Sequence, residues 1–346
     1  MPPQNSESLR YGWTTGCCAT AAACAAYEAL ITGQCPDQIQ VTLPGGQQPI
    51  FAVAYKQAFD DGFCAGIIKD AGDDPDVTDG VLVQATVCEH STSGVTFAAG
   101  KGVGTVTRAG LPLAVGEPAI NPKPREMIQD NLEALAKKFN RPLAVHVTVA
   151  IPGGETLAAE TWNPRLGIVG GLSVLGTSGI VRPYSCSAWI HSIHRGIDVA
   201  RANGWPLVLA STGNTSEKAA QKILDIDDSV SLEMGDFAGA TFKYLAANPI
   251  SQFVVAGGIA KMTKIAQGQK NLHSKHSQVD FSLLAQWADD QNAADALTAL
   301  EAVQLCPALA AIIAKKARNH IIAALPKNIS VRTMVFSRDG TLLAES

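Results

Sequence analysis

Residues 207–218 read Leu-Val-Leu-Ala-Ser-Thr-Gly-Asn-Thr-Ser-Glu-Lys, an apolar run followed by a glycine turn and a helix start. The run predicts a buried strand, and Gly213 with Asn214 predicts a tight turn that presents free backbone amides at a helix N-terminus. About twenty residues later, Glu233 and Asp236 follow the next β-rich run, where a carboxylate can hydrogen-bond a ribose hydroxyl. The layout indicates a nucleotide-type cofactor site. Because the full G-x-G-x-x-G motif is missing, an ordinary strand-to-helix turn remains the alternative.

A second stretch, Val254-Val-Ala-Gly257-Gly258-Ile-Ala-Lys261, repeats the order of strand, glycine turn and helix start. Two such turns at neighbouring strand ends flank one crevice in a doubly wound sheet. We therefore assign Gly257 and Gly258 to the same expected cofactor site. The alternative is that these glycines only allow close packing of the helix.

The chain divides into two predicted domains. From residue 184 to 346, β-rich runs alternate with helical patterns, which predicts a Rossmann-like α/β domain with a doubly wound parallel sheet. Residues 1–183 contain strands with few helices, which predicts an α+β domain. Its clearest helix begins after Thr14 or Thr15, continues through an alanine-rich stretch to Leu30 and ends at Gly33. The glycine- and proline-rich stretch 162–183 is interpreted as a functional linker.

The same patterns predict the other elements. In the first domain the predicted strands are 39–43, 50–54, 66–69, 81–87, 95–98 and 143–151, and a helix is predicted over 124–139. In the second domain the predicted strands are 207–210, 229–232, 253–256 and 329–336, and the predicted helices are 216–224, 238–247 and 308–325.

Composition excludes several classes of function. The 346 residues carry a formal net charge of -4, so no overall basic field favours nucleic acid as a partner. No uninterrupted apolar run reaches about 18 residues, so we expect no membrane span. The eight cysteines include no C-x-x-C pair, and no convincing secretion signal precedes them, so we expect a reducing, cytoplasmic location. The oligomeric state is left open, with a homo-oligomer possible.

Two kinds of residue cluster contain possible metal ligands, but neither has the spacing or the partners that a metal site requires. The segment from Asp70 to Asp79 is rich in aspartate, yet it has no glutamate at the twelfth position of an EF-hand, and Pro75 interrupts it. The histidine pairs 191/194 and 273/276 lack a cysteine or carboxylate partner at a suitable spacing. We predict no protein metal site, and expect turn, structural or surface roles for these residues. Whether the aspartate-rich segment contacts a substrate stays open.

Cationic side chains in rigid, proline-containing segments indicate a polycarboxylate ligand. Arginine binds carboxylates in a bidentate manner, and proline rigidity lowers the cost of ordering the site. The residues expected to bind such a ligand are Lys123, Arg125, Asn163, Arg165 and Arg182.

Several long motifs, in order along nearly the whole chain, resemble the cobalt-precorrin-5B C-1-methyltransferase family of anaerobic cobalamin biosynthesis. The motifs are Arg10-Tyr-Gly-Trp-Thr-Thr-Gly16, Lys69-Asp-Ala-Gly-Asp-Asp-Pro-Asp-Val-Thr-Asp-Gly80, Gly102-Val-Gly104-Thr-Val-Thr, Ala119-Ile-Asn-Pro122, Asn163-Pro-Arg-Leu-Gly-Ile-Val-Gly-Gly171 and Gly176-Thr-Ser-Gly-Ile-Val181. Two turns depart from the family pattern. Gly213-Asn214-Thr215-Ser216 stands where the family has Gly-Asn-Tyr-Gly, and Gly257-Gly258-Ile-Ala260-Lys261 stands where it has Gly-His-x-Gly-Lys.

The resemblance implies methylation of C-1 of a contracted corrinoid ring with S-adenosylmethionine, yielding cobalt-precorrin-6A. Cobalt would then arrive only as part of the substrate. On this interpretation Gly213, Asn214, Glu233 and Asp236 hold the adenosyl cofactor, and the arginines bind the acetate and propionate groups of the ring. Two alternatives stay open: a nicotinamide-dependent corrinoid reductase that uses the same α/β domain, and a tetrapyrrole carrier without catalysis.

Overall fold

The computed structural model describes residues 9–346, and the chain forms two compact units, Met1–Ser185 (unit 1) and Cys186–Ser346 (unit 2). Both combine helices with sheets, so the fold is mixed α/β. Within residues 9–346, no helix has the length and apolar character needed to cross a membrane.

Unit 1 contains three α-helices and thirteen strands among its described residues. The helices are α1 (Thr15–Thr32), α2 (Pro122–Lys138) and α3 (Gly154–Leu157). The strands are β1 (Gly12–Trp13), β2 (Gln38–Gln40), β3 (Ile50–Ala52), β4 (Tyr55–Ala58), β5 (Gly62–Ile68), β6 (Leu82–Glu89), β7 (Gly94–Ala99), β8 (Gly102–Val103), β9 (Thr105–Val106), β10 (Ala144–Ala150), β11 (Ile168–Val169), β12 (Gly171–Leu172) and β13 (Ile180–Val181).

The core of unit 1 lies between helix α1 and a five-stranded sheet of order β4-β5-β6-β10-β7. Neighbouring strands are antiparallel except β10 and β7, which are parallel. Helix α1 packs on β5, β6 and α2. Nearly all of its residues are buried, and most of them are alanine, cysteine, glycine or threonine. Because small side chains cover every face of the helix, it can approach its neighbours closely from several directions.

The ends of helix α1 lie where the sequence predicts them. The Thr14 hydroxyl accepts a hydrogen bond from the Cys17 amide at 3.2 Å, which is the contact of an N-terminal cap. At the other end, Gly33 adopts φ +77°, and its amide donates to the Ala29 carbonyl at 2.8 Å. Only glycine adopts this left-handed conformation at little cost, so it ends the helix.

The stretch 162–183 is not a linker, and that interpretation is wrong. It contributes β11, β12 and β13, which pair with β9, β8 and β1 of the same unit. Each of these pairings joins only two residues of each strand. Strands this short carry no alternation of polar and apolar side chains, so the sequence pattern could not reveal them.

Unit 2 contains seven α-helices and five strands. The helices are α4 (Cys186–Ala202), α5 (Asn214–Leu224), α6 (Ala238–Ala247), α7 (Ile259–Ala266), α8 (Phe281–Ala288), α9 (Ala299–Leu305) and α10 (Leu309–Ala324). The strands are β14 (Leu207–Ser211), β15 (Ser231–Glu233), β16 (Gln252–Gly258), β17 (Ser330–Phe336) and β18 (Leu342–Glu345).

The strands of unit 2 form one sheet of order β15-β14-β16-β17-β18. The first four are parallel, and β18 is antiparallel to β17 at the edge. Strand β14 lies between β15 and β16, which both follow it in the chain. The chain therefore leaves β14 first toward one side of the sheet and later toward the other, so the carboxyl ends of these three strands meet at a change of direction.

Candidate functional site

The carboxyl ends of β14, β15 and β16 are joined by one side chain, that of Lys261 in helix α7. Its Nζ donates to the Thr212 carbonyl at 3.0 Å and lies 3.0 Å from Asp236 Oδ1. Thr212 follows β14, Asp236 follows β15, and Lys261 follows β16. We call Thr212, Gly213, Asp236, Gly258 and Lys261 the strand-end cluster. Lys261 is not among the residues predicted from the sequence, although its position three residues after a glycine turn was a usable signal.

The three glycines of the predicted cofactor turns differ in their surroundings. A Cβ atom at Gly213 or Gly258 would meet no atom within 4 Å, so both turns border open space. A Cβ at Gly257 would lie 2.7 Å from Thr212 Oγ1 and 2.8 Å from Met262 Sδ. Gly257 is thus needed for close packing, whereas Gly213 and Gly258 leave room for a ligand.

The remaining predicted cofactor residues lie around the same strand ends. Asn214 is exposed at the start of α5. Glu233 is half-buried at the end of β15, and its carbonyl accepts a hydrogen bond from Trp189 Nε1 at 2.9 Å. The Asp236 side chain is 25% exposed, and its Oδ1 atom is buried without an aligned hydrogen bond, although the Lys261 charge lies close to it. The exposed part of the carboxylate can accept a hydrogen bond from a hydroxyl donor.

A second lysine of α7, Lys264, is buried behind the cluster. Its Nζ donates to the Leu272 carbonyl at 2.9 Å. Burial lowers the pKa of Lys264, the Asp236 charge raises it, and the charge of Lys261 lowers it further. The interaction with Leu272 fixes the segment that follows α7 beside the strand-end cluster.

In unit 1, the Arg125 side chain binds backbone carbonyls of the segment that precedes helix α2. Its Nε donates to the Ile120 carbonyl at 2.8 Å, and Nη2 donates to the Pro118 carbonyl at 3.1 Å. The guanidinium also faces Glu117 at 3.4 Å and lies over the Phe97 ring. These contacts fix the turn that leads into helix α2.

Asn163 has a comparable role in the loop before β11. Its Nδ2 donates to the Gly171 carbonyl at 3.1 Å, and its Oδ1 accepts from the Ser173 hydroxyl at 3.0 Å. Two residues further on, the Arg165 guanidinium lies 5.6 Å from the Trp162 ring centre, and the Arg165 carbonyl accepts a hydrogen bond from Arg108.

Lys123 and Arg182 are the exposed members of the predicted substrate set. Lys123 lies in the first turn of α2 and pairs with Glu126. Arg182 follows β13 directly. Their charges border solvent, in contrast to the internal contacts of Arg125 and Asn163.

The aspartate-rich segment forms a hydrogen-bonded turn. The buried Lys69 Nζ lies 2.8 Å from Asp76 Oδ2, while Asp76 Oδ1 accepts from the Thr78 amide and hydroxyl. Burial opposes ionisation of Asp76, but the interactions with Lys69 and Thr78 outweigh it, so its pKa lies below the usual value. The other carboxylates bind as follows: Asp70 to Arg10 and the Gly72 amide, Asp73 to the Arg10 amide, Asp74 to the Tyr184 amide, and Asp79 to the Ala71 amide.

Motifs that lie far apart in the sequence meet at the N-terminus of helix α1. The Trp13 amide donates to the Asp70 carbonyl at 2.7 Å, and the Gly16 amide donates to the Leu175 carbonyl at 2.9 Å. The Thr14 amide also donates to the Gly179 carbonyl at 3.0 Å, so the motifs 10–16, 69–80 and 176–181 meet at this helix end.

The histidine pair of α4 is held by aromatic stacking. The His194 ring stacks on Tyr244 with centres 3.8 Å apart, and the Tyr244 hydroxyl donates to Asp198 at 2.7 Å. Burial lowers the pKa of His194, and the nearby His191 and Arg195 charges add to this effect. Across residues 9–346, no three histidine, cysteine, aspartate or glutamate side chains group as a metal site would require.

Comparison with known proteins gives consistent matches. A family model described as CbiD matches residues 2–183, and one described as CbiD, C-terminal domain, matches residues 271–346. A protein of Brucella anthropi named cobalt-precorrin-5B C(1)-methyltransferase is 50% identical over 355 residues, covering 99% of this chain and 96% of its own length. A protein of the same name from a Bradyrhizobium species is 51% identical over 353 residues, covering 98% and 94%.

A crystal structure of the cobalamin biosynthesis protein cbiD from Archaeoglobus fulgidus is 26% identical and covers 83% of this chain and 82% of its own, with a TM-score of 0.42. That TM-score is too low for a comparison of the folds. The sequence matches, by contrast, extend over nearly the whole chain at about half identity. The chain belongs to the CbiD family.

Proposed function

We propose that this protein methylates C-1 of cobalt-precorrin-5B to give cobalt-precorrin-6A, with S-adenosylmethionine as the methyl donor. The curated relatives that match nearly the full chain carry the name of this activity. The observation that carries the cofactor part of the proposal is the strand-end cluster, in which Lys261 joins the turns after three parallel strands.

We propose that the strand-end cluster belongs to a Rossmann-like domain and holds the adenosyl group. The residues present fit that group, because Gly213 and Gly258 border open space and the Asp236 side chain is partly exposed, so that it can accept from a ribose diol. Asn214, Glu233 and Gly257 complete the site, with Gly257 allowing α7 to approach the Thr212 turn.

For the corrinoid, we assign two kinds of role to the five predicted residues of unit 1. Lys123, Arg165 and Arg182 supply positive charge to the acetate and propionate groups of the ring. Arg125 and Asn163 act as positioning residues, because their polar atoms hold the segments next to Lys123 and Arg165.

The protein does not need to supply a covalent nucleophile for this reaction. S-adenosylmethionine supplies a methyl group on a positively charged sulfur, which a nucleophilic ring carbon can accept directly. The residues described above therefore need to bind and orient the two reactants and exclude water, effects that together account for large rate enhancements.

The test is isothermal titration of the full chain with S-adenosylhomocysteine, comparing the parent with Asp236→Asn. A carboxylate hydrogen bond to a hydroxyl is worth about 1.5–3 kcal/mol, so we expect affinity to fall roughly tenfold to a hundredfold. Asp289→Asn, an exposed change in the same unit, serves as the control and should bind like the parent. Unchanged affinity in Asp236→Asn would remove Asp236 from the site.

NADH and NADPH titrated in parallel address the alternative of a corrinoid reductase. Saturable binding of either nucleotide, with no binding of S-adenosylhomocysteine, would replace the methyltransferase proposal. If none of these ligands binds but a corrinoid does, the carrier alternative is favoured.

A further inference from the structure

The longest acid-free stretch of unit 2 includes Gly258 and Lys261 of the strand-end cluster. No aspartate or glutamate occurs in residues 237–279. The cationic and imidazole side chains of this stretch are Lys243, Lys261, Lys264, Lys270, His273, Lys275 and His276. In a chain with a net charge of -4, this concentrates positive charge on one part of unit 2.

Four of these side chains lie within residues 270–276, which we call the basic loop. They are Lys270, His273, Lys275 and His276, and all four are exposed. The two acids that bound the stretch have partners outside the loop. Asp236 lies against Lys261, and Asp280 uses Oδ1 to cap helix α8 through the Leu283 amide.

The basic loop is anchored beside the strand-end cluster. The Gly239 amide donates to the Lys270 carbonyl at 2.8 Å, and the Leu272 amide donates to the Asp236 carbonyl at 3.0 Å. Leu272 is 1% exposed, and its carbonyl accepts from Lys264. A Cβ at Gly239 would lie 2.7 Å from Lys270 Cβ, so the glycine permits this close approach. The loop backbone is thus fixed while its charged side chains border solvent.

A hydrogen bond inside the loop also determines which ring nitrogen of His273 acts as a donor. The Lys275 amide donates to His273 Nδ1 at 3.1 Å. A ring nitrogen that accepts a hydrogen bond carries no proton, so Nε2 carries it and acts as a donor. The two imidazole centres lie 5.9 Å apart. The loop therefore offers more hydrogen-bond donors than a single carboxylate can engage.

We propose that the basic loop binds carboxylate groups of the corrinoid substrate. The proposal rests on the proposed function, which supplies a polycarboxylate ligand. It places a carboxylate-binding element in unit 2. The alternative ligand for the basic loop is the single carboxylate of the methyl donor. The experiment distinguishes these two ligands.

The probes are cobyrinic acid, a cobalt corrin with free carboxylic acid side chains, its methyl ester, and S-adenosylhomocysteine. Each is titrated into the full chain at two salt concentrations. The test variant is the double substitution Lys270→Gln, Lys275→Gln. The matched control is Lys243→Gln, Lys327→Gln, which removes the same charge from exposed positions of unit 2 outside the loop.

We expect the test variant to lose about tenfold in affinity for cobyrinic acid, because two solvent-exposed ion pairs are removed, and to lose less at high salt. The control should bind like the parent, the ester should bind weakly to all forms, and S-adenosylhomocysteine binding should not change. Gly239→Ala, which displaces the loop without changing its charge, should also weaken cobyrinic acid binding.

Three outcomes would overturn the proposal. If the test variant binds cobyrinic acid like the parent, the loop has no role in binding, and the proposed function stands. If only S-adenosylhomocysteine binding weakens, the carboxylate belongs to the methyl donor. If the parent fails to bind cobyrinic acid at all, the loop proposal is wrong, and S-adenosylhomocysteine binding alone decides whether the methyl-donor half of the proposed function survives.

Discussion

Replacing Lys69 with methionine tests whether the aspartate-rich turn of unit 1 depends on its buried ion pair. The Lys69 side chain is 1% exposed, and its Nζ lies 2.8 Å from Asp76 Oδ2. The substitution keeps most of the side-chain volume but leaves the Asp76 charge with only the two hydrogen bonds from Thr78. The turn also supplies the Asp70 carbonyl that binds Trp13, so its stability bears on the start of helix α1.

The expected cost follows from burial. Removing one partner of a fully buried ion pair costs about 3–5 kcal/mol, because an uncompensated charge remains. The Asp76 side chain is 26% exposed, so water recovers part of this loss. We expect the free energy of unfolding to fall by about 2–3 kcal/mol, which corresponds to a drop of roughly 4–12 °C in melting temperature for a unit of this size.

The assay is thermal and urea unfolding of the parent, Lys69→Met, Asp76→Asn and the double variant, measured between pH 3 and pH 7. The double variant removes both charges, so it should recover more than half of the loss. The pKa of Asp76 is lowered in the folded protein, so the stabilisation is present above the usual value of 3.8 and disappears as the pH falls below it. The difference between parent and Lys69→Met should therefore shrink at acidic pH. A Lys69→Met protein within about 0.5 kcal/mol of the parent at neutral pH, or a double variant as unstable as the single one, would refute this reasoning.

Two further predictions concern helix α1. Burial raises the pKa of the Cys18 thiol to about 12 and also raises that of Cys24. Both thiols should therefore resist iodoacetamide at pH 8 while the exposed Cys186 reacts, which peptide mass spectrometry would report. Rapid labelling of Cys18 in the folded protein would contradict its burial. Thr14→Ala removes the hydroxyl that accepts from the Cys17 amide and should lower the free energy of unfolding by about 1 kcal/mol in urea titrations, whereas Thr14→Ser should restore it.

The elements that the sequence predicted well are those with local signals. Helix α1 has a capping threonine and a terminating glycine, and the strand and helix around Gly213 follow from an apolar run that ends in a turn. Helices 238–247 and 308–325 correspond to α6 and α10 within one residue at each end. Each of these signals acts within a few residues, so a single sequence contains it.

The parts that were not predicted depend on distant partners. Strands β11 to β13 exist because their backbones pair with β9, β8 and β1, which no side-chain period reports. Helices α8 and α9 have only 8 and 7 residues, too few for a clear amphipathic pattern.

The candidate site was predictable in part for the same reason. Placing the Gly213 and Gly257 turns at neighbouring strand ends required only the alternation of strands and helices, and β14 does pair with β16. That Arg125 would direct its guanidinium to backbone carbonyls of its own unit required the three-dimensional path of residues 117–120. A cation in the sequence has no fixed partner until the fold supplies one.

The burial of helix α1 has a consequence for the order of events during synthesis. The helix leaves the ribosome about 160 residues before Leu175, whose carbonyl accepts a hydrogen bond from the Gly16 amide, and before Gly179, whose carbonyl accepts from the Thr14 amide. Until that segment is translated, part of the surface of this apolar helix, which carries little charge, remains exposed to solvent. Such nascent segments are prone to aggregate and are common targets of chaperones. We therefore expect unit 1 to reach its native packing only after strand β13 has left the exit tunnel, with folding governed by contacts of long sequence separation.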